Sequence, residues 1–146
     1  MLSEVSTMRS ALLVAAVLLS VATAAVAADP AWQAILDAYA RQAKAETPGF
    51  DGFSATRGER LYQGPHTGGS IETPACAACH TADPRAPGRH VRTGRAIEPM
   101  AVSVNPRRFT DAADVEKRFA RDCPNVLGRP CTAEEKGNFI TFLSGR

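Results

Sequence analysis

Aromatic residues are scarce in this 146-residue chain, which has one tryptophan, two tyrosines and six phenylalanines. Charge of one sign is lacking too: 17 lysines and arginines face 15 acidic residues, for a formal charge of +2. Both shortages argue against nucleic-acid binding, because single-strand binders set stacking platforms beside concentrated positive charge. Arg85, Arg89, Arg92, Arg95, Arg107 and Arg108 are scattered without interleaved aromatics. They read as plain solvated surface, or at most as a local docking patch. No stretch alternates apolar and polar residues as a half-buried strand does, and no internal repeat is visible. Apolar content of 45% suffices for one small domain and hardly for two.

The start of the chain carries the signs of export. "MRSALLVAAVLLSVATAAVA", positions 8–27, has Arg9 as a charged flank, an apolar run, and a small-x-small site at Ala25, Val26 and Ala27. We therefore expect residues 1–27 to be a secretory signal peptide, with no stable membrane insertion once it is removed and the periplasm as destination. An uncleaved anchor is the alternative, since the run is nearly long enough to span a bilayer. Cleavage removes Glu4 and Arg9 and leaves 119 residues still at +2.

The remainder reads as helices. Asp29 and Pro30 suit the cap and first residue of a helix, and Trp32, Ile35, Leu36, Tyr39 and Ala43 form one apolar stripe. This N-terminal helix and its linker occupy 28–53, and 54–146 form the main domain. Ser54 opens a second helix ending near Leu61 and Tyr62. Thr110 can cap a third, whose buried face carries Val115 and Phe119. "TAEE", Thr132 to Glu135, is a capping box for the last helix, with Phe139, Ile140 and Leu143 turned inward. Between them lies an irregular stretch of over twenty residues, too long for so small a domain unless it wraps a large prosthetic group.

"CAACH", from Cys76 to His80, supplies that group. Cys-x-x-Cys-His is the attachment signature of a c-type haem. One helical turn sets the two sulfurs where each can add to a vinyl group, and the histidine follows as proximal iron ligand. A thioredoxin-like dithiol would want a βαβ pattern, which is missing. Zinc would have to recruit Cys123 and Cys131 from forty or more residues away. Export, the helical pattern and the long loop all favour one covalently bound heme c. Cys123 and Cys131 are then left over, and in an oxidising compartment we expect them to pair as a disulfide.

Taken in order, "CAACHTADP", "RTGRAIEPMA", "NPRRFTDAADVEKRF" and "DCPNVLGRPCTAEEKGNFI" resemble the SHP-type cytochromes c and the related cytochrome c″. The resemblance spans roughly positions 58–143. It implies an all-α fold, a class I-like cytochrome c fold wrapped around one covalent haem, with an extra N-terminal helix. It also implies a disulfide beside the haem pocket, and a sixth ligand that is weak or leaves on reduction, so that ferrous iron can bind O2, NO or CO. Other cytochromes are the implied redox partners. In that family the sixth ligand is an asparagine or a histidine directly before the first disulfide cysteine. Here the position holds Asp122, a departure. A carboxylate is a hard anionic ligand that favours ferric iron and gives a weak field. The competing reading is an exposed aspartate paired with an arginine. Met100 is the alternative distal ligand, with haem packing as its plainer role. Asn125 reads as a turn residue, and His66 and His90 as surface residues.

Two functions follow. The first is a monohaem carrier of single electrons. The second is a dedicated gas-binding haem protein or reductase, although nothing resembles acid–base machinery around a peroxide or nitrite. A zinc or dithiol protein is the third and weakest.

Overall fold

The computed structural model describes residues 30–146. The expected signal peptide and the expected Asp29 cap lie outside the described residues. Among the described residues five helices carry the fold: α1 (Ala31–Glu46), α2 (Ala55–Gln63), the single-turn α3 (Ala77–His80), α4 (Ala112–Leu127) and α5 (Ala133–Ser144). Between α3 and α4 run β1 (Gly88–Arg89) and β2 (Ala96–Ile97), paired antiparallel with Gly88 opposite Ile97 and Arg89 opposite Ala96. No helix among the described residues is long and apolar enough to cross a membrane.

The apolar stripe of α1 packs as its spacing predicts. Ile35, Leu36, Tyr39 and Ala43 are buried, while Trp32 is half-buried at the edge. Helix α1 starts at Ala31, so Pro30 takes the cap position rather than the first helical one. Helix α5 is the central element, with Phe139, Ile140, Phe142 and Leu143 all buried. Its start is fixed by the capping box, in which Thr132 Oγ1 accepts from Glu135 N and Glu135 Oε2 accepts from Thr132 N.

Edge-on and tilted aromatic pairs join the layers to α5. Phe139 meets Phe119 of α4 at 5.5 Å and Phe109 at 6.4 Å between ring centroids, and Tyr62 of α2 lies 5.6 Å from Phe142. Such pairs add to the burial energy of the rings themselves. Across the α1–α4 seam the Tyr39 hydroxyl donates to Glu116, which also accepts from Lys136 Nζ at 2.8 Å.

Three local expectations are corrected. The pair of two-residue strands had no alternating signal, being too short to show one. The cap of α4 is Asp111, whose carboxylate accepts from Asp114 N at 3.0 Å, and not Thr110, which bonds back to Arg107. Helix α4 also runs on through Cys123 and Pro124 to Leu127, so Asn125 is helical rather than a turn residue. Proline costs that helix one backbone hydrogen bond. Contacts beyond it offset the loss. Asn125 Nδ2 donates to Thr73 Oγ1 at 2.9 Å, its carbonyl accepts from Ser70 N at 2.8 Å, and Cys123 is cross-linked to Cys131. Gly128 then ends the helix at φ 70°, where a left-handed residue is required.

Candidate functional site

Cys76, Cys79 and His80 fall on one helical turn, as their spacing demands. Both thiols are unpaired. Burial pushes the Cys76 thiol up to about 12, with the negative charge of Asp122 adding to the effect. His80 is half-buried, and its Nδ1 is fully enclosed with no hydrogen-bond partner among the described residues. Desolvation lowers its pKa to about 4; Arg108 and Arg121 push the same way, and Asp122 opposes them. The ring is therefore a neutral imidazole at physiological pH, the form that ligates a metal.

The turn is held from two sides. Buried Tyr62 of α2 donates its hydroxyl toward the carbonyls of His80 at 3.0 Å and Thr81 at 2.8 Å. Beneath, Gly88 of β1 lies so close to the Cys79 carbonyl and the His80 Cα that any side chain there would collide. Tyr62 reads in the sequence only as an apolar helix residue, and Gly88 only as loop glycine. Replacing Tyr62 by phenylalanine takes from the part-buried His80 and Thr81 carbonyls the one donor they share, and we expect a loss of about 1–2 kcal/mol in denaturant melts.

Asp122 sits on α4 directly before Cys123. It influences both Cys76 and His80, so α4 brings its charge to the same site. Its carboxylate is 48% exposed and accepts two bonds from Arg121, at 2.6 Å and 2.9 Å. The disulfide that fixes this end of α4 is present, with Cα atoms 5.6 Å apart. Because Cys123 and Cys131 are bonded to each other, neither is free to complete a zinc site. Among the described residues no group of three or more His, Cys, Asp or Glu side chains could hold a metal ion. Met100 is buried with Phe109, Phe119 and Phe139 in the core. His66 Nε2 is bonded to the Leu61 carbonyl at 3.0 Å, and His90 Nδ1 accepts from Thr93 N at 3.2 Å within the strand connection.

Comparison with known proteins decides the family. Residues 48–143 match the model of a domain of unknown function, DUF1924. The chain is 45% identical over 92 residues to the cytochrome c-type protein SHP of Cereibacter sphaeroides, covering 63% of this chain and 70% of that one. It is 37% identical over 105 residues to cytochrome c″ of Methylophilus methylotrophus, covering 72% and 73%. This chain belongs to the SHP and cytochrome c″ family.

The solved structures agree. Oxidised SHP, an oxygen-binding cytochrome c, superposes with a TM-score of 0.72 at 37% identity, covering 79% of this chain and 96% of that one. Oxidised cytochrome c″ from M. methylotrophus gives 0.70 at 34% identity, covering 78% and 93%. The all-α cytochrome c fold is thus established, as is a c-type cytochrome with one covalent haem c. The site fits such a group: two unpaired thiols on one turn, followed directly by a neutral imidazole.

Proposed function

We propose that this chain is an exported, periplasmic carrier of single electrons, with a loosely held sixth iron position open to O2, NO or CO. In this reading Cys76 and Cys79 form the two thioethers, His80 is the proximal ligand and Asp122 is the distal one. The haem, when bound, supplies a ferrous/ferric couple and an axial position for a small ligand. One observation carries the reading: Cys76 and Cys79 stay unpaired on the turn that ends in His80, while the other two cysteines bond to each other.

Each residue has a defined task. Tyr62 and the backbone contact at Gly88 fix the His80 turn. The cross-link fixes the backbone next to Asp122. Arg121 competes for the Asp122 carboxylate, which supports a ligand that binds weakly and lets go. Met100, buried among phenylalanines, supports a packing role. Other cytochromes are the proposed redox partners.

Two measurements test this. A pyridine haemochrome assay on periplasmic extract should return one haem per chain, in a protein starting at Ala28. Ferric and ferrous spectra with and without carbon monoxide or nitric oxide then separate the open site from a closed carrier. A low-spin ferrous spectrum unmoved by either gas would remove the open position from the proposal. Separately, replacing Cys123 and Cys131 by serine should lower stability by about 2–3 kcal/mol, as expected for a loop this short. It should also shift the midpoint potential; an unchanged potential would reduce the cross-link to a staple.

A further inference from the structure

The chain's charge is segregated along its length. Residues 83–108 carry six arginines against Asp83 and Glu98, a net +4. With 28–146 at +2, everything else after position 27 totals −2. The structure concentrates part of this excess. The β1–β2 hairpin places Arg92 and Arg95 on its exposed connection, closed by hydrogen bonds from His90 N to the Arg95 carbonyl and from Arg89 Nη1 to the Gly94 carbonyl.

Three large apolar side chains are exposed among the described residues: Ile71 at 96%, Val91 at 44% and Val104 at 50%. Ile71 adjoins Glu72 and Val91 adjoins Arg92, and Glu72 and Arg92 form one ion pair at 3.9 Å. That ion pair brings the segment bearing Ile71 up against the hairpin that bears Val91. Arg89 and Arg95 are exposed and have no carboxylate within 4.0 Å among the described residues. The hairpin half is anchored at the Cys76–His80 turn through Gly88. Ile71 lies five residues before Cys76, and Gly88 presses on the Cys79 carbonyl and the His80 backbone.

Apolar contact beside an excess of one charge is how transient protein interfaces combine contact with steering, and here the hairpin arginines outnumber Glu72. We propose that Ile71, Val91 and the arginines of the hairpin form the docking surface for an acidic redox protein. The contact passes one electron between the haem and the partner's one-electron centre, with no bond made or broken. A nucleic acid would ask for stacking rings, and this patch has none.

This inference rests on the electron-carrier reading and is tested apart from it. The ferric protein is mixed with reduced flavodoxin, an acidic one-electron protein, and with reduced lumiflavin, a small neutral reductant. We expect the flavodoxin rate to fall steeply with salt, and to fall roughly tenfold in R92Q/R95Q at low salt. I71S should slow it as well. The lumiflavin rate, haem spectrum and midpoint potential should not move. Equal slowing with both reductants, or a flavodoxin rate untouched by the substitutions, overturns the docking surface. So does arginine-dependent co-sedimentation with phosphatidylglycerol vesicles without salt-sensitive electron transfer, which would assign the patch to lipid. Absence of covalent haem would instead fail the underlying reading, and the spectrum reports that before any rate is measured.

Discussion

Changing Cys76 and Cys79 together to alanine should eliminate covalent haem, so that acidified butanone extracts all pigment and the haemochrome signal of the protein falls to background. Changing only one should leave a single-thioether product with a shifted haemochrome band. The structural consequence should be as large. Residues 81–111 contain only one pair of two-residue strands, and their inward side chains Met100, Ala101 and Phe109 join the core around the attachment turn. Fixing the backbone costs about 1–2 kcal/mol per residue, so a stretch this long needs a large apolar body to order it. In the double alanine variant we expect amide protection to vanish across 81–111. It should survive partly where α1 and α2 pack on α5, because Ala43, Tyr62, Ile140 and Leu143 are buried there. Full covalent haem in that variant would sink the attachment assignment.

Much of this arrangement is legible in the residues themselves. The α1 stripe, the Ser54 cap and the capping box at Thr132 are local patterns with local causes, and all stand in the structure, as does the helical turn that the Cys76–His80 spacing implies. What the sequence hides is non-local. Nothing near Tyr62 announces that its hydroxyl will serve the carbonyl of His80, eighteen positions on. Asn125 sits beside a proline and a glycine in a string that favours a turn, yet its bonds to Ser70 and Thr73 keep it helical. The strength of those distant contacts overrides local propensity. Asp122 is the intermediate case. Its position before a cross-linked cysteine and its pairing with an arginine are both readable as possibilities, but that the partner is its neighbour Arg121 is not.

That pairing makes Asp122 the residue whose change should move the potential most. An anionic oxygen ligand prefers ferric iron. Each tenfold preference for the oxidised metal lowers a one-electron midpoint by about 59 mV. If Asp122 favours ferric iron ten- to a hundredfold, replacing it by alanine should raise the midpoint by about 60–120 mV and alter the ferric spectrum. The Arg121→Gln change should act in the opposite direction and less strongly. The ion pair is half-exposed, so releasing it gains the metal at most about 1 kcal/mol of carboxylate affinity, roughly a fivefold shift. R121Q should therefore lower the potential by a few tens of millivolts at most, whereas R121Q/D122A should match D122A alone. That non-additivity distinguishes a ligand regulated by its neighbour from a general charge effect, in which the two changes would add. Should Met100→Ala displace the ferric spectrum while D122A leaves it untouched, the distal position belongs to the thioether sulfur, and the Arg121–Asp122 pair is ordinary surface.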